Sequence, residues 1–211
     1  MDFNKFKHII SKIETAKLGG LEAQFKLAPE IRRPFSEEII NSKNPKKAAV
    51  LVVFYPNNFG EVNFLLTERA SYKGTHSAQI SFPGGKVNNT DYSIKHTALR
   101  ESNEEVGLIE KDIVVFKEMT NVYIPPSNFL VTPFLSYLNY TPTFKKNYEV
   151  KDLIEVKLSD FLSEDAQTST TLSTSYAKNM KVPCYKLNSY IVWGATAMML
   201  SEIKELLKKY H

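Results

Sequence analysis

Apolar positions along the chain recur with two different periods, and the change of period marks its elements. Phe3, Phe6, Ile9, Ile10 and Ile13 repeat at helical spacing over residues 2–17, and Gly19-Gly20 closes the segment, so an amphipathic helix is predicted there. Ala48 to Tyr55 is an unbroken, β-rich apolar run, too short for a typical buried helix, and predicts a central strand. Pro56-Asn57-Asn58-Phe59-Gly60 is turn chemistry, and Glu61 to Thr67 reads as the second arm of a hairpin. A short strand is expected at Gln79–Phe82, broken by Pro83-Gly84-Gly85. Residues 92–106 hold neither proline nor glycine and predict a helix, with Thr90 or Asp91 as its cap and Gly107 as its stop. Further strands are predicted at Ile113–Glu118, Phe129–Tyr137, Ile154–Lys157, Val182–Leu187 and Tyr190–Trp193, and a last helix over Gly194–Lys209.

The polar intervals between these blocks read as connections. Residues 21–46, with Pro29, Pro34 and Pro45, predict an irregular arm; residues 70–78 predict a loop. Residues 163–175, where Ser and Thr fill 8 of 13 positions, predict an exposed loop or the tip of a long hairpin. Strands interrupted by one mid-chain helix and closed by another give a mixed α/β sandwich (α+β) in place of an alternating parallel fold.

Composition narrows the class. The chain of 211 residues is 43% hydrophobic and 24% charged, which is ordinary for a globular protein. No apolar run approaches the roughly 20 residues that span a bilayer, so no membrane partner is expected. The first residues lack the layout of a secretory signal, the last lack a Ser-Lys-Leu address, and Cys184 is the single cysteine; together these predict a cytoplasmic protein. The net charge of +4 comes from dispersed basic residues, with local pairs such as Arg32-Arg33 and Lys145-Lys146 that form no stripe, so nucleic acid is not expected as a partner.

The chemistry is concentrated between Ser81 and Leu108. Paired glycines, Gly84-Gly85, precede a polar loop, a helix and the run Arg100-Glu101-Ser102-Asn103-Glu104-Glu105. At about 100° per residue, Glu101 and Glu105 lie about 40° apart and Glu104 about 60° from Glu101, so all three project from one side of the helix. Such crowding disfavours the helix unless it is compensated. Arg100 is placed to neutralise Glu104, and a hard divalent cation suits the remaining carboxylates. The same three residues also fit a solvated acidic face, and the glycine pair favours the ligand site, because glycine lets backbone approach a ligand closely.

This stretch resembles the signature of the Nudix hydrolases, Gly-x5-Glu-x7-Arg-Glu-U-x-Glu-Glu-x-Gly-U with U aliphatic. Gly85, Arg100, Glu101, Glu104, Glu105, Gly107 and Leu108 match it; Asp91 stands for the first Glu, one extra residue precedes Arg100, and Ser102 replaces an aliphatic. Leu65-Leu66-Thr67-Glu68-Arg69 and His76 to Gly85 resemble the extended motif of the coenzyme A pyrophosphatase-like subgroup, as do Val131-Thr132-Pro133-Phe134 and Ile191 to Ala197.

The resemblance implies a Nudix fold, a mixed β-sheet core flanked by helices. Residues 1–45 would form an N-terminal helix and arm packed on a hydrolase domain of residues 46–211; the helix is equally able to pack on a second subunit, making a homodimer. The activity implied is metal-dependent hydrolysis of the diphosphate of coenzyme A or a derivative to 4′-phosphopantetheine and adenosine 3′,5′-bisphosphate. ADP-ribose, a nucleotide sugar, NADH or an oxidised nucleoside triphosphate are the alternative substrates, and a nucleotide sensor without turnover is the non-enzymatic alternative. The implied cofactor is Mg²⁺ or Mn²⁺, held by Glu101, Glu105, Glu104 and the Gly85 carbonyl. Glu104, Glu101 and Arg100 are the expected catalytic residues, and Arg69, Lys73, Gly84 and Gly85 the expected substrate contacts. The general base is open between Glu104 and Glu149. Arg69 reads equally as a phosphate contact or a structural ion pair. His76 and Trp193 read as scaffold and core residues in preference to a base and a nucleobase platform.

Overall fold

The computed structural model describes residues 1–29, 36–70, 79–174 and 177–210. Expectations for Arg32, Arg33, Pro34, Lys73, His76 and most of the 70–78 loop lie outside these residues.

In chain order the elements are α1 (Phe3–Thr15), α2 (Gly20–Phe25), α3 (Glu37–Ser42), β1 (Lys46–Pro56), β2 (Val62–Arg69), β3 (Ile80–Ser81), β4 (Gly84–Lys86) and α4 (Ile94–Val106). Then come β5 (Val114–Glu118), β6 (Val122–Ile124), β7 (Phe129–Tyr137), β8 (Val150–Lys157), α5 (Leu158–Leu162), β9 (Gln167–Thr174), β10 (Ala177–Leu187), β11 (Tyr190–Trp193) and α6 (Gly194–Lys208).

The large sheet is mixed and built around β1. Antiparallel β2 and parallel β7 flank β1, and β4 pairs with its first half in the register Ala48↔Lys86, Ala49↔Gly85, Val50↔Gly84. β8 and β3 continue from β2, and β5 and β6 from β7, while β9, β10 and β11 form a separate antiparallel sheet. The unbroken apolar run of β1 follows from burial on both of its faces. Ala49, Leu51, Val53 and Tyr55 pack beneath α4 with Ala98 and Val106. Val52 and Phe54, one residue out of phase, pack against α1 and α6 with Phe6, Met199 and Ile203. The Phe6 and Phe54 rings lie 4.9 Å apart between centroids, an aromatic contact that fixes α1 on this layer.

Three expectations are corrected and one open reading is decided. The arm over 21–46 contains two short helices, α2 and α3. α2 is held from outside itself, since Glu202 of α6 accepts from the Gly20 amide (2.8 Å) and the Gln24 side chain (3.1 Å). Pro83-Gly84-Gly85 ends β3, but the backbone re-enters the sheet at once as β4. α4 is capped by Ser93, which accepts from the His96 amide at 3.0 Å, and not by Thr90 or Asp91. The Ser/Thr-rich segment follows the hairpin reading and not the loop reading: it is regular over Gln167–Thr174, where its backbone pairs antiparallel with β10. At the other end of α4, Gly107 adopts φ 74° as the expected stop.

Candidate active site

The end of α4 lies over β4. Glu105 is 8% exposed, and its Oε2 accepts from the Gly84 amide at 3.0 Å. Burial pushes its carboxyl up to about 7, against the opposing pull of that amide. Glu101, one turn earlier, is likewise raised by burial, with Arg100 pulling the other way. Both carboxylates meet the glycine pair. A methyl group on Gly85 would lie 2.4 Å from the Glu101 carboxyl carbon, and one on Gly84, at φ +152°, 2.3 Å from the Ala49 carbonyl oxygen. Only glycine leaves room for the strand and the carboxylates to approach this closely.

Arg100 organises the outer side of the helix. Its Nε and Nη2 donate to Asp91 at 2.8 and 2.9 Å. Its Nη1 donates to Glu101 at 2.9 Å and to Glu104 at 3.2 Å. The Asp91 side chain is fully shielded and also accepts from the Asn88 amide (2.8 Å) and the Thr97 hydroxyl (2.9 Å). The Arg100 fork holds the Asp91 carboxyl well below the usual carboxylate range. Asp91 therefore anchors the loop to the helix, and Arg100 is shared among three acids where the sequence reading paired it with Glu104. Glu104 stands at the rim, its side chain about half exposed.

These groups line a cavity of about 750 Å³ together with Arg69, Glu149 and Lys86. Arg69 pairs with Glu149 at 3.3 Å, and the Glu149 charge contributes to raising both Glu101 and Glu105. The cavity is also lined by Ile124, Pro126, Ser127, Phe129 and Val131 and by the β11–α6 junction, including Trp193 and Met199. Trp193, read from sequence as core, is half-buried in this lining. The turn at Pro125-Pro126-Ser127 was missed; Pro-Pro-Ser-Asn before a strand is the turn signal that marks it.

Among the described residues no three acidic, His or Cys side chains converge to hold a metal ion by themselves. The donor set nevertheless fits a hard cation in kind. Two adjacent, desolvated carboxylates with raised pKa lack a full counter-charge, and water and phosphate oxygens ordinarily complete the shell of Mg²⁺.

The sequence matches the NUDIX domain family over residues 45–171. Nudix hydrolase 22, chloroplastic, of Arabidopsis thaliana is 32% identical over 165 residues, 74% of this chain and 53% of that protein. The chain thus spans only about half of that relative. "Uncharacterized Nudix hydrolase NudL" of Photorhabdus laumondii is 30% identical over 167 residues, 78% of this chain and 86% of that protein. Among solved structures, a MutT/nudix family protein from Enterococcus faecalis superposes with a TM-score of 0.52 at 14% identity, covering 92% of this chain and 76% of that one. The M. Smegmatis Nudix hydrolase RenU gives 0.51 at 17% identity, covering 78% and 87%. At these identities the likeness establishes the fold, a mixed sheet flanked by helices. No helix among the described residues is long and apolar enough to cross a membrane.

Proposed function

The chain belongs to the Nudix hydrolases, pyrophosphohydrolases acting on nucleoside diphosphate derivatives, and from that premise we propose that its substrate is coenzyme A or a coenzyme A derivative. The products are 4′-phosphopantetheine and adenosine 3′,5′-bisphosphate. The observation that carries the catalytic part of this reading is the convergence of Glu101 and Glu105 on the Gly84-Gly85 backbone in the cavity. The substrate part rests on the segments 65–69 and 76–85, whose order of residues resembles the coenzyme A-directed subgroup.

Nudix hydrolases generally require a divalent ion such as Mg²⁺ or Mn²⁺. When bound, the ion polarises phosphoryl oxygens, lowers the pKa of bound water and neutralises the leaving group. Glu101 and Glu105 are the proposed ligands, with Glu104 and the Gly85 carbonyl completing the protein's share. Gly84 and Gly85 let the diphosphate approach the strand without a side chain in its way. Arg69 supplies a planar guanidinium suited to a phosphate, and substrate competes with Glu149 for it. Release from Arg69 leaves the Glu149 carboxylate free to accept a proton from the attacking water; Glu104, which lines the same cavity, is the other candidate base. Arg100 holds the helix face while this exchange takes place.

The test is a substrate panel. Purified protein with Mg²⁺ or Mn²⁺ is offered coenzyme A, ADP-ribose, NADH and a nucleoside triphosphate, and phosphopantetheine release is followed by chromatography. The expected result is a kcat/KM for coenzyme A roughly 10-fold or more above the others, a difference of about 1.4 kcal/mol in the barrier. Preferential turnover of ADP-ribose would refute the substrate and leave the family untouched.

A further inference from the structure

The cavity that holds the proposed hydrolytic groups is also lined by aromatic side chains that they do not use. Three aromatic side chains line the cavity: Phe82, Phe129 and Trp193. Phe82 is 2% exposed and presents almost no surface. Phe129 already has the Lys46 ammonium over its ring, 6.0 Å from the centroid. Trp193 is half-buried, and among the described residues no aromatic ring or cation sits against it.

Its placement is fixed by the backbone. Strand alternation puts Val192 into the core at 0% exposure, so Trp193 faces the other way. It stands opposite Cys184 in the β10–β11 register, and Cys184 is fully buried. Directly after it, the Thr196 hydroxyl donates to the Ile80 carbonyl at 2.9 Å, tying the start of α6 to the strand that leads into Gly84-Gly85. Indole and glycine turn are therefore held in one frame. Ser127 Oγ lines the same cavity, shielded and without a hydrogen-bond partner among the described residues, and offers a polar contact for a ring edge.

We propose that Trp193 is the nucleobase-stacking residue of this cavity and determines its preference for nucleotides, the adenine ring lying on the indole while the diphosphate lies over Gly84-Gly85. A flat π-face rewards a planar purine, whereas a flexible amide chain such as pantetheine gains little from it. The proposal rests on the cavity being the substrate site but not on coenzyme A being the substrate.

Trp193 is the sole tryptophan, so intrinsic tryptophan fluorescence reports on it alone. AMP, ribose 5-phosphate and pantetheine are titrated separately into the wild-type protein without divalent ion. Saturable quenching by AMP, absent with the other two, is the expected result. Equal quenching by ribose 5-phosphate, quenching by pantetheine, or no response to AMP would each overturn the proposal. In turnover, Trp193→Ala raises KM for the best adenine-containing substrate roughly 10-fold with a much smaller change in kcat, and Trp193→Phe restores most of the loss. A purely structural role would lower kcat and thermal stability together and leave the KM ratio between the variants near one. If Trp193→Ala fails to fold, the wild-type titration decides. AMP quenching with turnover of ADP-ribose but not coenzyme A supports the stacking while refuting the substrate; coenzyme A turnover without AMP quenching refutes the stacking alone.

Discussion

Replacing Asp91 by Asn tests the reasoning about the outer side of α4 most directly. The wild-type carboxylate accepts four hydrogen bonds from fully shielded surroundings, two from Arg100, one from Thr97 and one from the Asn88 amide, and His96 Nδ1 stands 3.0 Å from its Oδ1. Asn has the same shape but one of its two polar atoms donates. Three of the four bonds converge on Oδ2, so the least costly arrangement keeps the oxygen there and turns the amide nitrogen toward Arg100 Nε, at the position of Oδ1. One charge-assisted bond is then lost and replaced by a donor facing a donor. Bonds of that kind are worth about 1.5–3 kcal/mol, and Arg100 keeps Glu101 and Glu104 as partial compensation, so a loss of about 2 kcal/mol is expected.

For a chain of this size that loss lowers Tm by roughly 4–8 °C, measured by thermal denaturation at pH 7. The pH dependence gives an independent check. A carboxyl whose folded pKa is depressed contributes stability above its unfolded value of about 3.9, and that contribution is lost as pH falls through the folded value. The gap between wild type and Asp91→Asn should therefore narrow as pH falls below the unfolded carboxyl value. Equal stability at pH 7, within about 0.5 kcal/mol, would refute the assignment of Asp91 as the anchor of the loop.

The inner side yields the remaining predictions. Glu105→Gln should lower kcat roughly 10²-fold or more, about 2.7 kcal/mol of transition-state stabilisation, in a protein whose circular dichroism is unchanged. With divalent ions removed, wild-type stability should decline as pH rises from about 5 through 7: Glu105, pushed up to about 7, is protonated in the folded state over that range while its unfolded counterpart is ionised. Urea titrations at several pH values measure that slope, which should be much smaller in Glu105→Gln, and added Mg²⁺ or Mn²⁺ should stabilise the wild type more at pH 8 than at pH 5. Gly84→Ala should destabilise the fold by on the order of 3 kcal/mol, because its Cβ meets backbone at a φ of +152°. Gly85→Ala should leave stability nearly unchanged and abolish most turnover, because the nearest atoms its Cβ meets are the movable end of Glu101; denaturation and rate measurements on the pair separate the two effects.

β1, β7 and α4 were legible in the sequence because each satisfies a local pattern long enough to stand alone. Burial on both faces makes β1 a continuous apolar run, and helical angles alone put Glu101 and Glu105 on a common side. α2 has six residues and reads as irregular because what holds it, the Glu202 carboxylate, lies far along the chain in α6. β6 and α5, of three and five residues, are too short to display a period of their own. The cap of α4 shows the limit of local rules. Thr90, Asp91 and Ser93 all have capping chemistry, and the choice falls to Ser93 because Arg100 and Thr97 claim Asp91. Trp193 was read as core because its period matches an apolar helix start; only the position of β11 beside β3 shows it facing a cavity.

The polarity of α4 explains why its charged end belongs to function and not to folding. A helix favours acids at its start and bases at its end, where the backbone dipole complements them. α4 has no acid in its first turn and no base in its last, while Glu104 and Glu105 sit at its C-terminal end. Arg100 neutralises the outer carboxylates, yet Glu105 lies beyond its hydrogen bonds and keeps a carboxyl raised to about 7. Natural sequences concentrate such local disagreements where a ligand resolves them. A cation bound only by the folded state supplies the missing charge and adds stability in proportion to the logarithm of its concentration above Kd. On the proposed function, Glu101 and Glu105 are the carboxylates whose charge such an ion would offset beside a diphosphate.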